Sequence, residues 1–423
     1  MSIPRTLLLT PTRPGESSVG EVFLRDLCRC FPKDKLVCFA ATGPEYEVGV
    51  STPELSWIPM LVRNLPTERT AAAGRSASTL DCLRRLSKMK RELDPLIDEA
   101  VRYATDQKVE QIWSPLAGPA MVHMARVVTE RLKLPLIPIV WDPLEYVSES
   151  RGYDRITRQL IMEEFAATLS LSRCCGVASE GMKEILELRH ELHCEVLINS
   201  IDRHLWVDRG SGCRNGEEFV IGFAGSIYAK TELQAVIDAL TSVGWKLEGK
   251  AIRLRIFGNA MSMDLHALGK RCCIEFLGHR PTAEAVEELS KADLAYLPYW
   301  LQEKYSIPVR QSFPNKLATY LAAGCPVFYH GPEDSSPIRF MERYPVGVSC
   351  NSLQAEVILA ALARIIADEP LRESIAQARK LALNEELNST VFQSRFAALL
   401  GVNASEFVLD GVSKLAANTV NNN

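Results

Sequence analysis

The stretch Ser312-Phe-Pro-Asn-Lys-Leu-Ala-Thr-Tyr-Leu-Ala-Ala-Gly-Cys-Pro-Val327 carries the reading of the chain. Pro314 stands where a helix begins: its fixed φ suits a first turn, and its missing N–H leaves nothing unsatisfied there. Asn315 and Lys316 fall in that first turn. Gly324 ends the helix, and residues 326–329 read as the strand that follows. A helix N-terminus offers unpaired N–H groups and the positive end of the helix dipole, which suits a phosphate. Lysine is unfavourable in a first turn, so an anion beside Lys316 would offset the conflict. The competing interpretation is an ordinary helix-to-strand unit with a surface lysine.

Working outward, the same alternation recurs on both sides. Upstream of the quoted stretch, residues 219–224, 252–257, 274–277 and 294–297 read as strands ending at Ala224, Gly258, Gly278 and Pro298. Helical periodicity occupies 232–240 and 283–291, and three more helices are expected over 352–367, 371–384 and 390–400. The amino-terminal half repeats the scheme. Its expected strands cover 5–10, 36–40, 111–114, 136–141, 176–178 and 195–198. Its expected helices cover 79–106, 117–132 and 156–172, with another from Glu180. Near-continuously apolar strands alternating with helices imply parallel sheets covered on both faces. A polar run over 202–218 with Gly210, Gly212 and Gly216 reads as the linker. The expected organisation is therefore two doubly wound α/β domains, 1–203 and 204–387. A helix over 388–402 is expected to cross back to the first domain, and a tail over 403–423 is expected to be disordered. Ligands in such sheets bind beyond the carboxyl ends of the strands, so the cleft between the domains is the expected site.

Composition narrows the function. The chain has 423 residues, 47% hydrophobic and 24% charged, with a formal net charge of −4. These values suit a folded protein of more than one domain and exclude a globally disordered or fibrous chain. The acidic balance argues against nucleic acid as a partner. The longest apolar run, 134–141, falls far short of the ~20 residues that span a bilayer. The first nine residues read as a strand rather than a secretion signal. Twelve cysteines are present without a C-x-x-C pair, and several lie in apolar segments. They read as reduced, buried thiols of a cytoplasmic protein, with no metal spacing among them or the histidines.

The quoted stretch resembles the "P-x-K-L-x-E-Y-L-A-A-G-x-P-V" signature of GT-B glycosyltransferases similar to glycosyltransferase family 4, the "glycosyl transferases group 1". The surroundings agree in order. Phe223-Ala-Gly-Ser226 with Lys230 is similar to the first strand-loop of the family's nucleotide domain. Ile256-Phe-Gly258, Phe276-Leu-Gly278 and Ala292-Asp-Leu-Ala-Tyr-Leu-Pro298 resemble its later strand ends, and Glu195-Val-Leu-Ile-Asn-Ser-Ile-Asp202 its interdomain segment. The resemblance covers about residues 170–385. It implies a GT-B fold of two Rossmann-like domains and transfer of a sugar from a nucleotide-diphosphate donor, with retention at the anomeric carbon. The acceptor would be a glycan, a lipid-linked molecule or a small molecule. The resemblance places the donor on Gly225, Ser226, Lys230, Gly258, His279, Pro298, Ser312, Asn315, Lys316, Leu317 and Thr319. Lys230, Lys316 and Asp142 are the catalytic candidates. No cofactor is implied beyond the nucleotide-sugar co-substrate, because two lysines and a helix dipole can carry the charge that a divalent metal would.

Two departures keep a rival open. The family has Glu where this chain has Thr319, and Gln311 stands where its second carboxylate would lie. A hydroxyl there makes a weaker hydrogen bond than a carboxylate. The amino-domain histidine of the family is not evident, since Ser114 and Pro115 occupy its region and His123 lies farther on. A catalytically weak GT-B protein that binds or scaffolds, or a sugar-nucleotide epimerase, therefore competes with the transferase. Asp142, after the apolar strand, either faces the acceptor or caps a turn. Gly15 and Gly20 either admit a substrate or make the turn, and His330 is a minor ligand candidate. Finally, Arg63, Arg69, Arg75, Arg84, Arg85, Lys88, Lys90 and Arg91 are interleaved with Leu80, Leu83, Leu86 and Met89. This segment reads either as a solvated, core-facing helix or as a peripheral contact with an anionic membrane.

Overall fold

A computed structural model describes residues 3–43, 52–65, 78–208, 216–258 and 273–407. The chain divides into two compact units, Met1–Leu197 with Gln393–Asn423, and Ile198–Phe392. Of the tail expected to be disordered over 403–423, residues 403–407 are ordered, with Phe407 buried against Phe31 and Phe396; its remainder, Arg69, Arg75 and the middle of the expected linker lie outside the described residues.

In the first unit seven strands form one sheet: β1 (Thr6–Thr10), β2 (Leu36–Thr42), β3 (Met60–Asn64), β4 (Gln111–Pro115), β5 (Leu136–Val140), β6 (Cys174–Val177) and β7 (His193–Val196). Their order is β3-β2-β1-β4-β5-β6-β7 and every pairing is parallel. Leu7, Leu8 and Leu9 of β1 are fully buried, as a strand covered on both faces requires. The covering helices are α1 (Val19–Cys28), α2 (Thr79–Asp106), α3 (Pro119–Leu132), α4 (Leu144–Ser150), α5 (Arg155–Leu169) and α6 (Glu180–His190). The start of α1 shows why it forms there. Ser18 accepts a hydrogen bond from Glu21 N–H, and the Glu21 carboxylate accepts one from Ser17 N–H at 2.9 Å. This is close to a capping box.

The second unit repeats the plan with β8 (Glu218–Ala224), β9 (Lys246–Leu247), β10 (Lys250–Phe257), β11 (Ile274–Phe276), β12 (Leu294–Pro298), β13 (Val327–His330) and β14 (Gly347–Cys350). The parallel order is β11-β10-β8-β12-β13-β14, and β9 pairs antiparallel with β10. Helices α7 (Lys230–Ser242), α8 (Thr282–Leu289), α9 (Ser306–Gln311), α10 (Lys316–Ala322), α11 (Ser336–Arg343), α12 (Ala355–Ala367) and α13 (Glu369–Glu385) accompany it, and α14 (Ser389–Leu400) follows. Phe219, Ile221 and Phe223 of β8 join Leu233, Val236, Ile237 and Leu240 of α7 in one buried cluster, with Ile358 and Leu362 of α12. The two parallel sheets expected from the sequence are present. Sequence periodicity missed β3, β9, β14, α4, α9 and α11, each too short to show a period clearly. Each sheet reverses direction at one point, between β1 and β4 in the first unit and between β8 and β12 in the second. Such switch points are where open α/β sheets hold ligands.

The basic segment is less uniform than its sequence suggests. Arg63 lies on the edge strand β3 and donates to Glu99 at 2.8 Å. On α2, Lys90 pairs with Glu164 at 2.6 Å, and Arg85 lies 4.6 Å from the centre of the Tyr153 ring. Leu86 and Met89 are buried in a stripe that continues through Leu93 and Ile97, whereas Leu80 is exposed. The apolar residues thus serve mainly the core, and Arg84, Lys88 and Arg91 remain exposed.

Candidate nucleotide-binding site

At the carboxyl ends of β8 and β10 the backbone is packed too closely for side chains. Gly225 follows β8 with φ +101°, and its N–H donates to Phe257 O at 2.7 Å. A Cβ on Gly258 would stand 2.0 Å from the Gly225 carbonyl oxygen, so only glycine fits. Gly258 N–H donates in turn to Gly278 O at 2.9 Å. Three strand ends are thereby drawn together beside the switch point.

Lys316, the first residue of α10, reaches across this floor. Its Nζ donates to Ser226 O at 2.8 Å and stands 4.3 Å from the Phe223 ring centre and 4.4 Å from that of Tyr228. Its stem passes Gly225 so closely that a Cβ there would lie 2.9 Å from Lys316 Cε. Burial pulls the ammonium down to about 7. The carbonyl and the two ring faces act in the opposite sense, favouring the charged form. A cation held among rings and one carbonyl, beside crowded glycines, is suited to an anion that brings its own charge. Asn315 precedes Lys316 in helical conformation without a side-chain cap, so the first turn of α10 keeps its N–H groups uncapped by side chain.

The remaining sequence candidates divide. Ser312, Asn315 and Thr319 are half-buried within the same segment, while Leu317 and Pro298 are buried and contribute packing. His279 is exposed directly after Gly278. Lys230 opens α7, where its N–H donates to Tyr228 O at 3.1 Å, and lines a surface groove with Gln234, Asp238 and Leu353. Asp142 lies in the first unit, exposed after β5.

Several readings resolve into structural roles. His330 is buried, with Nδ1 3.0 Å from the Tyr296 hydroxyl and Nε2 2.8 Å from Ser352 O, and burial lowers its pKa. It is a satisfied core histidine rather than a ligand. His123 contacts Glu164 at 2.7 Å. Burial works against that carboxylate, yet hydrogen bonds from His123 and Lys90 hold Glu164 down to about 2. Ser114 donates to Leu9 O at 2.8 Å between β4 and β1. Gly20 gives room to the Trp141 ring, and Gly15 to the Glu21 carboxylate. Of the ten described cysteines, eight are buried.

Sequence reasoning missed two residues of the second unit. The buried Tyr320 hydroxyl accepts from Ala224 N–H at 3.1 Å and donates to Tyr296 O at 3.0 Å, tying β8 to β12. The buried Glu232 accepts from Leu301 N–H at 2.8 Å. No local sequence pattern distinguishes either residue, because both partners lie far away in the chain.

Residues 218–332 match the family profile described as "Glycosyl transferases group 1". No curated protein sequence matches the chain. Solved structures share its fold. Anabaena HepE in complex with UDP aligns at TM-score 0.67 and 15% identity over 94% of this chain and 99% of its own. Sucrose-phosphate synthase from Thermosynechococcus elongatus aligns at 0.63 and 11% over 99% and 100%. An α,α-trehalose 6-phosphate synthase from Burkholderia multivorans aligns at 0.59 and 11% over 100% and 99%. The resemblance read from the sequence therefore stands: this chain has the two-sheet fold of GT-B glycosyltransferases, with a group 1 segment in its second unit. Among the described residues no helix is long and apolar enough to cross a membrane.

Proposed function

We propose that this protein transfers a sugar from a nucleoside-diphosphate donor to a glycan, lipid-linked or small-molecule acceptor, with retention at the anomeric carbon. The observation that carries this is the glycine floor of Gly225 and Gly258 crossed by Lys316, at the switch point of the sheet that matches the group 1 profile. HepE carries UDP, and in a second structure UDP and glucose, which supports a uridine nucleotide as the first donor to screen. In this reading the diphosphate replaces the Ser226 carbonyl as the partner of Lys316. As the glycosidic bond breaks, negative charge grows on the leaving diphosphate. A cation and N–H groups not capped by a side chain stabilise that charge more than the ground state. Lys230 adds positive charge at the start of α7. The reading requires no divalent metal.

A second reading, nucleotide binding without turnover, is favoured by one feature: Thr319 and Gln311 supply no carboxylate. Thermal-shift screening against UDP, GDP, ADP and their sugars tests both. At one hundred times its Kd a ligand adds about 2.7 kcal/mol of stability. A shift accompanied by release of nucleotide from a nucleotide-sugar supports the transferase. A shift without release supports the binding protein, and no shift with any nucleotide refutes both.

A further inference from the structure

Glu232 on α7 is fully buried, yet only half of its carboxylate is engaged. Oε1 accepts from Leu301 N–H at 2.8 Å, and Oε2 has no hydrogen-bond partner. Burying a carboxylate is costly, and an apolar side chain of similar size would avoid the cost. Glu232 is the third residue of α7, where the positive end of the helix favours its charge. An exposed acid in the same turn would gain as much, so the helix dipole does not account for the burial. Residues that break a local rule in this way concentrate at functional sites.

What Glu232 holds leads directly to Lys316. Leu301 belongs to the segment that leaves β12, whose Tyr299 N–H donates to His330 O at 2.7 Å. Its neighbour Trp300 donates from Nε1 to Tyr228 O at 3.2 Å, and the Trp300 and Tyr228 ring centres are 4.7 Å apart. Gln302 Nε2 adds a bond to Thr231 Oγ1 at 3.2 Å. The segments 228–232 and 299–302 are thus clasped together by three hydrogen bonds and one ring contact. Tyr228 is also one of the two rings against Lys316 Nζ. Trp300 therefore holds a wall of the lysine's cage, and Glu232 holds the amide next to Trp300.

We propose that Glu232 is a positioning residue: by seating the Leu301 amide it keeps Trp300 against Tyr228, and Tyr228 keeps the Lys316 ammonium where the donor diphosphate arrives. This rests on the donor reading above and deepens it. The carboxylate touches neither donor nor acceptor and acts only through the clasp. Without it the Leu301 N–H loses its acceptor and the Tyr228 wall loosens. Lys316 then keeps its charge but loses its fixed place, and a binding site that is no longer pre-organised holds its ligand less tightly.

The test separates placement of Lys316 from stability. Wild type, Glu232→Gln, Glu232→Leu, Trp300→Phe and Ile366→Ala are titrated calorimetrically with UDP, GDP and ADP, and their urea midpoints are measured alongside. Glutamine keeps an oxygen for the Leu301 N–H, whereas leucine removes it. Phenylalanine keeps a ring against Tyr228 but not the bond to Tyr228 O, and it tests the same clasp if the leucine variant does not fold. Ile366 is the control for stability: it is buried, and it lies about 16 Å along α12 from the end that follows β14. For a nucleotide that wild type binds, Glu232→Leu is expected to weaken binding about tenfold and Trp300→Phe about threefold, while Glu232→Gln stays within about twofold of wild type. Ile366→Ala is expected to lower the urea midpoint and leave affinity unchanged. Unchanged affinity in the leucine variant, or in Trp300→Phe if leucine does not fold, would make the clasp purely structural and overturn the proposal. Equal losses in Glu232→Leu and Ile366→Ala would overturn it as well, because affinity would then follow stability alone. A glutamine variant as weak as leucine would show that charge and not the bond to Leu301 matters, and would also overturn it. Failure of wild type to bind any nucleotide would instead refute the donor reading on which the proposal stands.

Discussion

Replacing Lys316 by methionine separates stability from function. Methionine keeps an apolar stem beside Gly225 and removes the charge. The usual lysine value is 10.5 and burial brings Lys316 to about 7. At about 1.4 kcal/mol per pH unit, keeping this half-buried ammonium charged in the folded protein costs at most a few kcal/mol. Below pH 7 the lysine is charged in both folded and unfolded chains, so that penalty is fully present. Between pH 7 and 10.5 the folded chain binds fewer protons than the unfolded one, and stability rises with pH. Lys316→Met has no such group. The variant also loses the bond to Ser226 O and the two ring contacts, about 1–2 kcal/mol together. It is therefore expected to be as stable as wild type or more so at pH 6, and to lose ground steadily by pH 9. Urea midpoints at pH 6, 7, 8 and 9 measure this. UDP affinity at pH 6.5 is expected to fall at least tenfold in the same variant, about 1.4 kcal/mol. A stability difference that does not change with pH would show that Lys316 titrates as an ordinary surface lysine. Unchanged UDP affinity would remove it from the site.

Gly258→Ala places a methyl 2.0 Å from the Gly225 carbonyl oxygen, backbone that cannot turn aside. It is expected to cost about 1–3 kcal/mol by urea denaturation, with loss of nucleotide binding exceeding what the folded fraction explains. If Arg84, Lys88 and Arg91 meet anionic headgroups, co-sedimentation with vesicles containing phosphatidylserine weakens as salt rises. The Arg84→Glu, Lys88→Glu double variant is then expected to stay in the supernatant, and equal pelleting of both proteins would make this a solvated helix face.

Much of the architecture was legible before any coordinates. Runs such as Leu7-Leu-Leu9 can only be buried, and burial on both faces demands a parallel sheet between helices. The helix from Glu180 was legible from its apolar period, and the structure caps it with Ser179, whose side chain accepts from Met182 N–H. Gly225, Gly258 and Lys316, which the structure brings together, already stood out in the sequence as strand-end glycines and a lysine in a first helical turn. Tertiary structure alone decided the rest, since those contacts join residues far apart in the chain. Tyr320 meets Ala224 across 96 positions, and Glu232 seats Leu301 across 69. No local pattern distinguishes a tyrosine that bridges two strands from one that fills a core. The same holds for His330, whose two nitrogens are both satisfied inside the sheet. The basic segment around α2 shows the reverse limit. Its charge was plain in the sequence, but only packing revealed that Arg63 and Lys90 already have carboxylate partners on other elements, because ion pairs form in three dimensions and not along the chain.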